Sequence, residues 1–485
     1  MKFISTRGKD FANSSQEAVL RGLARDGGLY VPQDLPKFEM GKLAGKSYAE
    51  MAAYIIGLIL DDFEGEDLLE MARAAYDDRF YVKDALRLIN FEDKKKTVVE
   101  LFHGPTAAFK DFALTMLPRF MAGSMRGQEV IILTATSGDT GKAALEGFKD
   151  VEGTSVFVYY PTDGVSPMQK RQMMTQEGKN THAIAIEGNF DHAQRGVKEI
   201  FSDEEMAHWA QDRGAVLSSA NSINIGRLVP QVVYYIYSYE KLVEEGIIKR
   251  GDQINVSVPT GNFGDILGAY YAKTMGLPIH HLICASNENK VLTDFFRTGV
   301  YDANRDLKLT QSPSMDILVS SNLERLLYHV TGEADQVAAW MADLKEGGRF
   351  EVGQDVLSAL GSIKAYHGDD ESGRDLIRSV FEEEAYLLDT HTAMAWKAHE
   401  DYLEETGKGY HTLVMATASP FKFPGAVAQA LGLGEDLEGE ALLESLSQAT
   451  KTPIPDPLRG LWQRPLTQDR LISIEDMAKA IKESF

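Results

Sequence analysis

An α/β fold built on parallel sheets is what this sequence predicts, and three observations predict it. Seven short runs rich in β-branched and aromatic residues recur along the chain, several apolar without a break, as in strands buried on both faces. Longer segments with apolar residues at helical spacing alternate with them, the pattern of crossover helices. The loops after several runs carry glycine and hydroxyl residues, at the strand ends where open α/β sheets gather ligands. At 485 residues the chain can hold two or three such units around large cores.

Taken in order, residues 1–95 form a mainly helical N-terminal domain after a short strand-like start. "SYAEMAAYIIGLIL" and "EDLLEMARAAYDDRF" both place apolar residues on one helical face. The strand candidates follow: "KTVVELF", "EVIILTAT", "TSVFVYYP", "THAIAIEG", "QINVSVPT", "IHHLICAS" and "HTLVMATAS". "DTGKAALEGFKD", "MQKRQMMTQEG" and "DILGAYYAKTMG" are the helices between them. Residues 96–430 are the expected core, with the charged, helix-rich stretch 301–385 as an insertion. Residues 431–485 are expected to be a helical extension with a Pro-punctuated linker. Its last helix, "SIEDMAKAIKESF", would be capped by Ser473, with Glu475 or Asp476 favouring the first turn.

A net charge of -22 argues against affinity for nucleic acid or an anionic membrane surface, both of which need a basic face. It does not forbid a local cationic pocket. Cys284 is the only cysteine, so no internal disulfide and no multi-thiolate zinc cage can form, and no metal is expected. The start of the chain has no run apolar enough for a signal peptide, and "MAAYIIGLIL" is too short to span a bilayer. The cytoplasm is the expected compartment.

Five places could carry chemistry, one of them the strand end "VMATASPFKFPGA" with Thr417 and Ser419. In "LFHGPTAAFKDFALTML" Lys110 stands in an apolar neighbourhood. Its stem could simply cover apolar surface while its ammonium reaches water. Alternatively its amine is partly desolvated, with a lowered pKa, and forms a Schiff base. "LTATSGDTGKAA" puts hydroxyls and free backbone N–H groups at a helix start, which suits either an anion site or a well-capped turn. Gly141-Lys142 suggests a nucleotide-binding phosphate loop, the rival reading from another class. That motif needs Ser or Thr where Ala143 stands and glycine where Thr136 stands. "VPTGNFGD" has two glycines that let consecutive amides turn toward one phosphate. "SSANSINIGRLVPQ" offers amide, hydroxyl and guanidinium donors, or else helix caps and a solvated arginine. A cofactor bearing its own phosphate and an aldehyde would use one anion loop and Lys110 together; a second anion site would serve an anionic substrate.

These motifs resemble those of the threonine synthases, pyridoxal-phosphate enzymes of the tryptophan-synthase-β-like class (fold type II). "HGPTAAFKDFA", "TATSGDTG", "VPTGNFGD", "NSINIGR", "SPSMDI", "STRG" and "DGGLYVP" match in order from residue 2 to about 425. The N-terminal features point to the longer bacterial and fungal type. The resemblance implies two open, mostly parallel α/β lobes with flanking helices. It makes Lys110 the residue that joins pyridoxal 5'-phosphate, with Gly261, Asn262, Phe263, Gly264 and Asp265 cradling its phosphate. Asp139 would lie near the ring hydroxyl and Thr417 would meet the pyridine nitrogen. Thr136, Ser137 and Thr140 would bind the substrate carboxylate, and Asn221, Ser222 and Arg227 the phosphate of O-phospho-L-homoserine. The implied reaction is conversion of that substrate and water to L-threonine and phosphate, with Lys110 as the base.

The sequence departs from the pattern at two positions. Ser419 stands before Pro420 where many relatives have histidine, and Lys142 stands where a small residue is common. The nearest rival activity is a serine or threonine dehydratase, which would share Lys110 and the glycine loop but have no use for Arg227. His103 and His391 are expected to be structural, since Lys110 already supplies a base.

Overall fold

All seven apolar runs fold as strands, divided between two open sheets of a computed structural model that describes residues 1–485 except Arg126, Asp163, Asn189 and Glu435. The larger sheet has the spatial order Ile363–His367, Ile279–Ser286, Ile254–Pro259, His411–Ala416, Lys96–Glu100, Arg87–Phe91. Its first five strands are parallel and Arg87–Phe91 closes one edge antiparallel. The smaller sheet is wholly parallel: Leu471–Ile472, Thr181–Ile186, Thr154–Pro161, Glu129–Ala135, Ala215–Ser219. Its inner strands Glu129–Ala135 and Thr154–Pro161 are almost entirely buried, as their unbroken apolar runs require.

Between the lobes and the N-terminal domain runs the helix Pro230–Glu244. Its sequence, "PQVVYYIYSYEKLVE", is apolar on nearly every face, and it is correspondingly buried along most of its length. It packs against Gly264–Met275 and against Tyr48–Ile59, an N-terminal helix started by a capping box of Ser47 and Glu50. The N-terminal domain also contains a small antiparallel sheet, with Phe3–Ser5 between Phe11–Ala12 and Tyr30–Pro32. It is tied to the core through Glu324, which accepts from the Thr6 hydroxyl at 2.6 Å and the Arg7 guanidinium at 2.9 and 3.0 Å.

Three sequence expectations are refined. Arg87–Phe91 pairs with Lys96–Glu100, so the strand pair straddles residue 95. The stretch 301–385 is helix-rich but supplies the edge strand Ile363–His367 of the larger sheet. Ser473 does not cap the last helix: its hydroxyl donates to Asp476 at 3.1 Å, and a 3-10 turn, Ile474–Asp476, precedes the helix Met477–Ser484.

The C-terminal extension crosses the molecule. Leu443, Leu446, Leu458 and Leu461 belong to the core beneath the larger sheet, with Val98, Ile283 and Val414. Met477, Ala480 and Ile481 belong to the core of the smaller sheet, with Ile131, Leu133 and Phe157. Arg171 holds the crossing by donating to the carbonyls of Leu461, Trp462 and Arg464 at 3.2, 2.7 and 2.7 Å.

Candidate active site

The loops singled out in the sequence all leave carboxyl ends of parallel strands, and the two lobes turn those ends toward each other. Lys110 begins the short helix Asp111–Leu114, after the strand Lys96–Glu100. Its segment is clamped to the one after His411–Ala416: Phe109 N donates to Thr417 O at 2.8 Å and Ser419 N to Ala107 O at 3.1 Å. The turn before Lys110 is pinned by Asp111, whose carboxylate accepts from the Thr106 hydroxyl and N–H at 2.6 and 2.9 Å. The side chain of Lys110 is only 11% exposed, and its Nζ lies 4.7 Å from the centre of the Phe109 ring. Burial pulls the amine below the ordinary lysine range; Asp139 and Asp265 oppose that shift, while Arg227 and Lys422 add to it. The snorkelling reading therefore does not describe this lysine.

The segment 136–141 caps itself as well as facing the site. Thr136 Oγ1 accepts from Gly138 N and Gly141 N, both at 2.9 Å, so its hydroxyl keeps one O–H free to donate. Ser137 and Thr140 are half-buried. Asp139 is fully enclosed: Oδ2 lies 3.7 Å from Lys110 Nζ, and Oδ1 accepts from Lys422 Nζ and Gln169 Nε2, both at 2.8 Å. These cations hold its carboxyl well below the usual range against the opposing effect of burial.

After the strand Ile254–Pro259 the chain turns tightly into the helix Gly264–Met275. A Cβ on Gly261 would come within 2.3 Å of the Ser314 carbonyl, so only glycine fits there. Phe263 takes up a left-handed φ of 63° directly before the helix, and no side chain caps that N-terminus. Uncapped amides at the start of a long helix, behind a glycine turn, suit a phosphate. Asp265 contributes differently. Its Oδ1 accepts from the hydroxyls of Tyr234 and Tyr235, its Oδ2 has no partner, and burial pushes the carboxyl up to about 6. A carboxylate repels phosphate, so only the backbone N–H of Asp265 can serve such a cradle.

Opposite stands Arg227, 5% exposed, on the short helix Ile225–Leu228. It donates to Ala220 O at 2.9 Å and Thr140 Oγ1 at 3.3 Å, and its Nε has no partner. Neither partner is a carboxylate, and burial alone lowers the guanidinium to about 10. A buried cation left without an anion is costly unless a ligand supplies one. Asn221 donates to Ala135 O at 2.9 Å, while Ser222 offers its carbonyl to Arg325 at 3.2 Å. Ser222 stands at the glycine turn, its Cβ 3.5 Å from where a Cβ on Gly264 would lie. Asn224 is a buried helix cap.

Lys422, between Phe421 and Phe423, was not among the sequence candidates, although the signal that marked Lys110, a lysine flanked by apolar residues, is present there too. It is wholly buried and bonds Asp139, Thr106 O at 3.1 Å and Gln172. Ser419 caps the turn Pro420–Lys422 through Phe421 N. Lys142 neither faces solvent nor adds charge to the site: its Nζ is paired with Glu146 at 3.1 Å and bonded to Gln176, which also removes it as a nucleotide ligand. His103 pairs with Glu100 at 2.7 Å. His391 rests on Asp389 at 3.0 Å and accepts from Ser314 N at 3.1 Å, bracing the loop over Gly261. No cluster suited to a metal ion occurs among the described residues.

Comparison with known proteins accounts for nearly the whole chain. Family models match for Threonine synthase N terminus over residues 2–76, Pyridoxal-phosphate dependent enzyme over 97–418, and Threonine synthase, C-terminal, over 392–483. The threonine synthase of Pseudomonas aeruginosa is 39% identical over 447 residues, 90% of this chain and 91% of that protein. Human Threonine synthase-like 1 is 38% identical over 89% of this chain, which spans about three-fifths (61%) of that longer protein. The crystal structure of PLP-bound threonine synthase from Brucella melitensis superposes with a TM-score of 0.88 at 37% identity, covering 100% of this chain and 99% of that one.

Proposed function

This chain belongs to the threonine synthase family of pyridoxal-phosphate-dependent enzymes, and from that premise we propose that it converts O-phospho-L-homoserine and water to L-threonine and phosphate. The observation that carries the substrate is Arg227: a buried guanidinium with no carboxylate partner and an unused Nε beside the site. A dehydratase acting on serine or threonine has no phosphate to place there.

The residues fit the cofactor. Lys110 would hold its aldehyde carbon, and the N–H groups from Gly261 to Asp265 its phosphate. Asp139 would lie at the ring hydroxyl and Thr417 at the ring nitrogen. When bound, pyridoxal phosphate supplies the electron sink that lets protons leave carbon atoms beside the amino group. The chain's own groups do the rest. Arg227, with Asn221 and Ser222, binds the ester phosphate and stabilises it as it departs from Cγ. The hydroxyls of Thr136, Ser137 and Thr140 hold the substrate carboxylate, fixing the amino acid's orientation. Lys110 Nζ removes the protons at Cα and Cβ, for which its desolvated amine is suited; protons return to Cγ, giving the methyl group once phosphate has left, and to Cα after water has added at Cβ. Burial of these groups keeps water out until it adds at Cβ. The cytoplasm remains the proposed compartment; no helix among the described residues is long and apolar enough to cross a membrane.

The test is phosphate release from O-phospho-L-homoserine, measured beside ammonia release from threonine with cofactor-loaded protein. Phosphate and threonine should appear together; ammonia without phosphate would replace this reading with a dehydratase. Arg227→Met should raise KM for the phosphorylated substrate by about ten- to a hundredfold, the loss of a charged hydrogen bond worth about 1.5–3 kcal/mol. Cofactor should be retained. Loss of cofactor instead would mean that the two anion sites are interchanged.

A further inference from the structure

Asp139 is shared by two lysines, and the two bonds are unequal. Lys422 Nζ sits on Oδ1 at 2.8 Å, whereas Lys110 Nζ stands 3.7 Å from Oδ2. Lys422 is wholly buried and is anchored from behind by Thr106 O and Gln172. It cannot leave Asp139 without stranding its ammonium in the interior. On the structure, and resting on the functional reading above, we propose that Lys422 is a positioning residue: it occupies Asp139 Oδ1, so that the carboxylate holds the Lys110 nitrogen only as a longer, weaker partner.

Charge counting supports this. The charged groups around Lys110 are Asp139 from the helix Asp139–Phe148, Asp265 from Gly264–Met275, Arg227 from Ile225–Leu228 and Lys422 from the turn Pro420–Lys422. With both carboxylates ionised, these two cations and two anions cancel, and the cluster is neutral with an uncharged Lys110. Remove Lys422 and the cluster is short of one positive charge, which only a proton on Lys110 or on a carboxylate can restore. Lys422 itself faces Asp111 and Lys142 in addition to Asp139; Lys142 is paired with Glu146, while Asp111 accepts only from the neutral Thr106 and leaves its charge toward Lys422. The arrangement also explains how a carboxylate can stand beside the place assigned to the cofactor's ring hydroxyl: with Lys422 attached, Asp139 presents a neutralised pair instead of a bare anion.

The experiment follows the visible absorbance of cofactor-loaded protein, without substrate, as pH is raised, and reads the midpoint at which the Lys110 nitrogen loses its proton. Lys422→Met should move that midpoint upward by about one unit, equivalent to roughly tenfold less unprotonated nitrogen at a fixed pH below it. Lys422→Arg should stay near wild type. The double variant Asp139→Asn with Lys422→Met, which removes both charges, should return the midpoint most of the way. Asp139→Asn alone should lower it, and Lys422→Gln, expected to move the midpoint upward as Lys422→Met does, decides the matter if Lys422→Met does not fold. Unmoved midpoints in folded Lys422→Met and Asp139→Asn would overturn the proposal and leave Lys422 a structural tie. Borohydride trapping separates this from failure of the functional reading. If wild-type protein gives no cofactor adduct at Lys110, the functional reading falls; if it does and the variants titrate alike, only the role of Lys422 falls.

Discussion

A lysine amine becomes a base only where water and anions are both kept from it, and Lys110 meets the first condition through its own neighbours. Phe109 lies against its nitrogen and Phe112, two residues on, is wholly buried. Lys110→Ala should therefore fold, bind no cofactor covalently and show no turnover, as judged by phosphate release and by mass after borohydride treatment. Appreciable threonine formation by that variant would remove the assignment. The burial of Lys110 was legible because an isolated lysine inside an apolar run is conspicuous. Arg227 was half legible: its residue type suggested an anion, but its burial and its missing carboxylate appear only in three dimensions. Lys422 carried the same flanking signal, but "SPFKFPG" reads equally well as an exposed turn. Its partners Asp139, Gln172 and Thr106 O are all remote from it in sequence.

Among the elements, the inner strands announced themselves and the edges did not. A strand covered on both faces must be apolar throughout, as "EVIILTA" and "TSVFVYYP" are. Arg87–Phe91, Ala215–Ser219 and Ile363–His367 lie at or beside sheet edges, where one side faces solvent and mixed sequences suffice. The packing of elements was likewise hidden. The helix Asp139–Phe148 approaches the Lys110 helix so closely that a Cβ on Gly147 would lie 2.0 Å from the Leu114 carbonyl. Gly147→Ala must force these two helices apart, and overpacking of this kind costs about 1–3 kcal/mol. Because Asp139 and Lys110 ride on the displaced pieces, kcat should fall along with Tm. A loss of Tm with unchanged kcat would show that the backbone gives way elsewhere.

At the scale of the whole molecule, the N-terminal ends of the large-sheet strands gather imidazoles instead of catalytic groups. His399 is buried with neither ring nitrogen partnered and is held down to about 3; desolvation also holds His281 and His411 down to about 4. His329, beside Tyr271 at 2.8 Å, is held to about 4 as well. Each binds its proton readily only when the chain unfolds. Their contribution to stability is thus complete above the ordinary histidine value near 6.5 and is lost as pH falls from there toward 4. Asp111 and Asp265, both held up to about 6, act in the opposite sense over part of that window. Unfolding free energy and Tm should decline between pH 7 and 5, and His399→Leu should flatten the free-energy decline by about 1 kcal/mol per pH unit while keeping or raising Tm at pH 7.5. An unchanged slope would mean that His399 is protonated in the folded protein.

The closing segment of the chain has a mechanical consequence. It is fastened under the larger sheet by Leu458 and Leu461 and on the smaller sheet by Met477 and Ile481, with Arg171 gripping the strand of backbone between. Any swing of one half on the other must be taken up by the slack between those fastenings, so the enzyme's own tail acts as a tether that sets how wide the jaws can part.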